Sequence, residues 1–393
     1  MNRDHRPSAV PHLVWVYTQC PISKLDAATW LETTRELREL GWSVTLVAAG
    51  PAGHQSIRGV EVLCIPKPRV YLLRQVVFHI RLLHLLALEW ATIDVLLFHP
   101  MSAPWILPLR LLRHLTGKRR PLLLMDTRTL HMVPPDKETW KDKLRKRFHE
   151  LMNRSANRWA DGRSAITQRM AESLCIPPEQ LWGVWPSGVD LDRFAPAQVV
   201  RRWPLPGEPI HLFYIGVLHY ERNLMALSRA VKKANDEGMA FILSLVGDGT
   251  EREDLEKFAA QTAGRIRVVP PVPHDQVWEV LAQAHVGVLP FPDEEKFQVS
   301  SPIKLFEYMA AGLPILATRI ACHTDVIGDG KYAFWAEQAD VPGLLAALRL
   351  VWQDRDSLSK MGTQAATLAQ AWTWHESAKK LKMSLEYGLA SCK

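Results

Sequence analysis

The chain has 393 residues, 47% apolar and 23% charged, with a formal net charge of +7 at pH 7. That length exceeds one ordinary core and predicts two domains, and the balanced composition excludes a largely disordered or fibrous chain. Five scattered cysteines with no Cys-x-x-Cys pair argue against a disulfide framework or zinc site, while a polar Met1–Pro11 start and the lack of any apolar run of about 18 residues argue against a signal peptide or spanning helix, so the expected setting is cytoplasmic.

Short apolar strands alternate with helical stretches along the first half. His12–Tyr17 reads as a strand, Ala27–Leu40 as a helix ended by Gly41, and Ser43–Ala48 as the next strand, with further strands at Gly59–Ile65, Ile93–His99, Pro121–Asp126 and Arg163–Thr167. Such alternation predicts a parallel sheet covered on both faces. The Pro-rich stretch Ala195–Pro209 fits no periodic template and reads as an interdomain linker. The pattern then restarts with strands at Ile210–Ile215, Ala240–Val246, Ile266–Val269, Val286–Leu289 and Pro314–Ala317, separated by helices. Three more helices are expected at Val341–Trp352, Leu358–Gln370 and Glu376–Leu389. The predicted fold is α/β, with doubly wound Rossmann-like domains at residues 1–197 and 198–375 facing a central cleft, and a C-terminal helix, 376–393, packing back on the first.

Charge is uneven: residues 1–200 carry 27 Lys+Arg against 18 Asp+Glu, and residues 201–393 carry 21 against 23. The basic half includes Arg74–Trp90 and Pro104–Arg120, which mix Leu, Trp and Phe with Arg and His, and a Lys/Arg run over Lys137–Arg158. These elements suit attachment to an anionic membrane surface without crossing it; the plainer alternative is core helices with a solvated basic edge. Nothing in the spacing points to nucleic acid.

The segment Ser300–Ile315 carries the most chemistry. Ser301 suits a helix cap, Pro302 the first helical position and Gly312 the residue past the end, while Lys304 and Glu307 project together from one face. A helix N-terminus beside a lysine suits a phosphate, and a glutamate one turn on suits a sugar diol. The alternative is a surface ion pair contributing about 0.2–0.5 kcal/mol.

Four passages in register resemble the family 4 type of GT-B glycosyltransferases: Trp185–Pro196, Tyr214–Asn223, Leu245–Gly249 and Lys304–Pro314, with Trp372-Thr373-Trp374 before the last helix fitting as well. The resemblance implies a retaining, hexosyltransferase-like enzyme that moves a sugar from a nucleotide diphosphate to an acceptor. The expected acceptor is a lipid-linked saccharide of envelope or exopolysaccharide assembly, reached at the inner face of the membrane. It implies that Arg222 and Lys304 clamp the diphosphate, that Glu307 holds the ribose, that Gly216 lets the donor approach, and that Val272 lies near the base. Ser300 and Ser301, with the amides of Phe297–Ser301, are expected to cradle phosphate or sugar.

In the first domain Asp126 is a candidate for accepting or orienting a hydroxyl proton, with Arg128 and His131 beside it on the acceptor side. A loop-capping Asp126–Arg128 pair is the alternative. No cofactor beyond the nucleotide-sugar co-substrate and no essential metal is expected, Asp190-Leu191-Asp192 reading as a structural turn. Val299 replaces a glutamate of the family's pattern, and the family's glycine pair is missing at Thr18–Ser23. Two rival readings stand beside the transferase: a nucleotide-sugar epimerase, which would need an acid/base set the sequence does not reveal, and a catalytically silent binding module, for which Val299 is the best argument.

Overall fold

In the computed structural model of the chain, residues 10–21, 27–68, 70–117, 120–130 and 138–391 are described. Contacts divide it into two compact units, residues 1–131, 139–186 and 374–393 in one, and chiefly 187–373 in the other.

The first unit is built on eight strands: β1 His12–Tyr17, β2 Ser43–Ala49, β3 Gly53–Ile57, β4 Val60–Ile65, β5 Val95–Phe98, β6 Leu122–Thr127, β7 Gly162–Ala165 and β8 Leu181–Val184. Their order is β3-β4-β2-β1-β5-β6-β7-β8, parallel throughout except for the β3–β4 hairpin. Alternation along β1 sorts its side chains into two layers. Leu13, Trp15 and Tyr17 pack with Trp30, Leu31 and Leu37 of helix Ala27–Glu39 and with Leu381 and Leu385, whereas Val14 and Val16 pack with Phe78, Leu82 and Leu86 of helix Tyr71–Glu89. The C-terminal helix, Trp374–Ser391, lies against β8 because small residues meet there. A Cβ on Gly183 would fall 2.0 Å from Ser384 Oγ, and one on Gly388 would fall 2.3 Å from the Trp182 ring.

The second unit has six parallel strands: β9 Ile210–Ile215, β10 Phe241–Val246, β11 Ile266–Val269, β12 Val286–Leu289, β13 Ile315–Thr318 and β14 Ala333–Ala336, in the order β11-β10-β9-β12-β13-β14. Counted within the unit this is 3-2-1-4-5-6, the doubly wound order, whose direction of winding reverses between β9 and β12.

Four local expectations need correction. The β3 hairpin strand was not anticipated, since Gly53–Ile57 is polar and mostly exposed. β8 and β14, the strands at one edge of each sheet, were also not anticipated. Residues 195–200 are not linker but the end of helix Leu191–Val200, whose Phe194 and Ala197 sit in the second core; the contact boundary therefore falls at Pro186/Ser187 rather than at 197/198. Finally, Ser301 does not cap the helix after it. That helix, Ile303–Ala310, starts from Pro302 with no side-chain cap, because the Ser301 hydroxyl accepts instead from the Ser187 amide at 3.1 Å, and Ser187 Oγ donates to the Ser301 carbonyl at 2.9 Å.

Candidate functional site

Where winding reverses in an open sheet, the loops leaving the two strands diverge and open a crevice at their carboxyl ends. In the second unit those loops follow β9 and β12. Gly216 leaves β9 with φ of 139°, and a Cβ there would lie 2.8 Å from both Cε and Nζ of Lys304. Glycine at this position is what lets the lysine stem lie against the strand end. Gly247, after β10, is required for a similar reason: its Cβ would meet the Gly216 carbonyl oxygen at 1.8 Å.

Lys304 sits in the first turn of helix Ile303–Ala310, with Nζ 5.5 Å from the Tyr214 ring centroid. Burial, and after it the Arg222 charge, push its pKa down to about 8 against the opposing charge of Glu307. Arg222 therefore lies within electrostatic reach. Its guanidinium rests 5.1 Å and 5.2 Å from the ring centroids of Phe291 and Phe297, themselves stacked 4.9 Å apart, and its Nε is buried without a hydrogen-bond partner. Two neighbouring cations, one with a buried nitrogen that has no partner, suit an anion with several oxygens as ligand.

Glu307 is buried, which removes it from a surface ion pair; its Oε1 lies 3.2 Å from Nε2 of His274 instead. Val272, just before that histidine, is half-buried and packs on the second core. Ser300 Oγ donates to the Phe297 carbonyl at 2.8 Å. The expected amide cradle is largely absent: the amides of Phe297 and Gln298 donate to Glu294 O, that of Val299 to Glu295 O and that of Ser300 to Phe297 O, because Glu295–Gln298 winds into a short helix. Val299 is buried as well. In Asp190-Leu191-Asp192, Asp190 caps helix Leu191–Val200 by accepting from the Arg193 amide at 3.2 Å.

In the first unit, Asp126 near the end of β6 is fully buried. Its Oδ1 accepts from Ser164 Oγ at 2.6 Å and from Trp185 Nε1 at 3.1 Å, Oδ2 lies 3.9 Å from an Arg128 nitrogen, and burial raises its pKa. Arg128 lies 3.6 Å over the Trp185 ring and donates to the Trp185 carbonyl. Those contacts fit a carboxylate that fixes Arg128 and Trp185 in place, the capping alternative, better than one presented to a substrate hydroxyl. His131 lies outside the described residues.

Sequence reading missed His274, Arg193 and the Phe291–Phe297 pair. Only the apolar character of the two phenylalanines beside strand β12 was visible locally; nothing near Pro271–Asp275 points to a glutamate 33 positions on.

Comparison with known proteins matches residues 209–354 to a family model described as glycosyl transferases group 1, and residues 27–193 to one described as glycosyltransferase family 4. Among curated relatives, the sulfoquinovosyl transferase SQD2 of Arabidopsis thaliana is 28% identical over 214 residues, 51% of this chain and 38% of that one. The chain spans 38% to 57% of the length of the first curated relatives it matches. Among solved structures, the fold is similar to sucrose-phosphate synthase from Thermosynechococcus elongatus, with a TM-score of 0.73, 15% identity and coverage of 95% and 97% of the two chains. It is also similar to HepE of Anabaena in complex with UDP-glucose, with a TM-score of 0.70, 12% identity and coverage of 95% and 99%.

Proposed function

The chain belongs to the group 1 glycosyltransferases of GT-B type, and from that premise we propose that it transfers a sugar from a nucleotide diphosphate to an acceptor with retention at the anomeric carbon. The observation that carries the reading is a pair of cations: Lys304, packed on Gly216 at the point where the second sheet reverses its winding, and Arg222, close enough to shift the lysine's titration. Breaking the glycosidic bond leaves an additional negative charge on the departing diphosphate, and cations already in place and partly desolvated stabilise that charge without reorganising. The first-turn amides of helix Ile303–Ala310, free of any side-chain cap, add the positive end of a helix dipole. Attack from the face the diphosphate leaves lets a phosphate oxygen take the acceptor's proton, so this chemistry calls for neither a carboxylate nucleophile nor a metal. Glu307 accepts from the ribose hydroxyls, and Val272 lies beside the base.

We assign the acceptor to the lipid-linked saccharides of envelope or exopolysaccharide assembly, met at the cytoplasmic face of a membrane. The support is the surface of the first unit. Helix Trp140–Trp159 exposes Trp140, Leu144 and Leu151 among Lys141, Lys143, Lys146 and Arg147, and Leu111, Leu112 and Leu115 are exposed on helix Leu109–Leu115. No helix among the described residues is long and apolar enough to cross a membrane.

The test is transfer of radiolabel from UDP-, ADP- and GDP-linked sugars, with and without a lipid-linked acceptor fraction and EDTA. The expected result is acceptor-dependent transfer that survives EDTA and falls on the order of 10²–10³-fold in Lys304→Ala, as for one lost electrostatic donor. Interconversion of the free donor would favour the epimerase reading, donor binding without any turnover the silent module, and loss of transfer restored by Mg²⁺ or Mn²⁺ a metal-dependent mechanism.

A further inference from the structure

A chain of four polar side chains in the second unit ends on Glu307. Asp190 Oδ2 lies 3.4 Å from an Arg193 nitrogen, a second Arg193 nitrogen is 2.8 Å from His274 Nδ1, and His274 Nε2 is 3.2 Å from Glu307 Oε1. The elements come from three separate parts of the sequence: the first turn of helix Leu191–Val200, the single 3-10 turn His274–Gln276, and helix Ile303–Ala310. His274 and Glu307 are both largely shielded from solvent, with side-chain exposures of 17% and 11%.

The order of donors follows from the groups themselves. A guanidinium has only N–H groups and stays protonated, so His274 Nδ1 must be the acceptor of the Arg193 bond. The proton of the neutral imidazole is thereby placed on Nε2, the nitrogen that faces Glu307, and it donates to Oε1. Asp190 is engaged twice, as the cap of its helix and as partner of Arg193, which fixes where the arginine can point. A carboxylate on a flexible side chain is held by one oxygen, and the other, Oε2, is left for a ligand.

We infer that His274, oriented by Arg193 and Asp190, is the positioning residue that sets the rotamer of Glu307 for a ribose diol. This inference rests on the reading of the same site as a nucleotide-sugar pocket. It adds that selection of ribose is determined by a residue that need not touch the sugar, because two hydroxyls meet one carboxylate well only when its plane is fixed.

The experiment compares the affinities of UDP, ADP and GDP with those of their 2′,3′-dideoxy forms, for the parent and for Glu307→Gln, His274→Gln, His274→Asn and His274→Phe. The full-length protein is used, and melting temperature is recorded for each variant. The parent is expected to prefer the ribose form on the order of 10- to 100-fold, the range of a charged hydrogen bond, and Glu307→Gln to lose that preference. His274→Gln places an amide N–H near the position of Nε2 and keeps the preference within about 2-fold, whereas Phe, with no donor, and Asn, whose amide reaches only the Nδ1 position, lose at least about 5-fold of it. A residue that merely supports the fold would move the melting temperature and leave the ribose preference alone. If His274→Phe and His274→Asn discriminate like the parent while Glu307→Gln does not, the positioning role is overturned and the Glu307 assignment stands. If Glu307→Gln also discriminates like the parent, or if none of the three nucleotides binds, the pocket reading fails and the inference with it. Should the Phe variant not fold, His274→Asn decides the matter.

Discussion

Lys304 carries two opposite pH dependences. Its pKa falls from the ordinary 10.5 to about 8 because burial and the Arg222 charge disfavour the ammonium. Between those values the unfolded chain binds a proton that the folded chain has released, so this group's contribution makes stability rise with pH across that window. A bound diphosphate favours the ammonium and raises its pKa again, so affinity for UDP, ADP or GDP is expected to fall above pH 8, by up to about tenfold per pH unit. Calorimetric titrations at pH 7, 8, 9 and 10 check this, and the slope is expected to vanish in Lys304→Met. An unchanged slope in that variant would assign the titration to another group. The lysine itself was visible in the sequence because its neighbours, Pro302 ahead and Gly312 behind, punctuate a short helix. Its environment was not, because Gly216 approaches it from 88 residues earlier.

Helix Ile303–Ala310 is held at its far end by a residue the sequence reading left in a linker. Arg201 is buried, and its guanidinium donates to the carbonyls of Ala284 and Leu281 at 2.8 Å each, Ala311 at 2.7 Å and Gly312 at 2.8 Å. It thus gathers the carboxyl ends of helices Val277–Ala282 and Ile303–Ala310, where a positive charge also complements the helix dipoles. Burial lowers its pKa to about 10, which leaves it charged at neutral pH. Arg201→Met removes the donors and strands several buried carbonyls, so a loss of about 3 kcal/mol or more is expected, a shift of roughly 6–12 °C in melting temperature. Thermal unfolding followed by circular dichroism measures it, and a shift under about 2 °C would mean that water or neighbouring groups replace the arginine. Arg201 was illegible because Arg-Arg-Trp-Pro after a proline-containing helix has the composition of a surface loop; only the helix ends arriving from 80 to 111 positions later make it a core residue.

Across the molecule, the net basic charge of the first half does not translate directly into a binding surface. Arg113 makes a two-nitrogen pair with Asp161 at 2.6 Å, and Arg120 pairs with Asp94, so both are committed within the unit. Among the described residues, helix Trp140–Trp159 presents a dense group of exposed cations, Lys141, Lys143, Lys146 and Arg147. Each Lys or Arg near an anionic surface contributes about 1 kcal/mol, screened as salt rises. Replacing Lys141, Lys143, Lys146 and Arg147 by Gln is therefore expected to release the protein from acidic liposomes at low salt, roughly 100-fold or more in partition, with nucleotide affinity unchanged. Cosedimentation with acidic and neutral vesicles tests this, and equal partitioning of the parent to both at every salt concentration would remove the electrostatic attachment.

The sequence by itself determined the alternation of strands and helices, the restart near Ile210, and the family resemblance at Gly216, Arg222, Lys304 and Glu307, because periodicity and short spacing are local properties of a chain. Only the tertiary structure decided that Glu307 meets His274, that Arg222 lies over Phe291 and Phe297, that Ser301 serves Ser187 rather than its own helix, and that Asp126 is enclosed by Ser164 and Trp185. The physical reason is the same in each case. A buried polar group takes whichever partner the fold brings beside it, and in parallel sheets joined by crossover connections that partner comes from far along the chain.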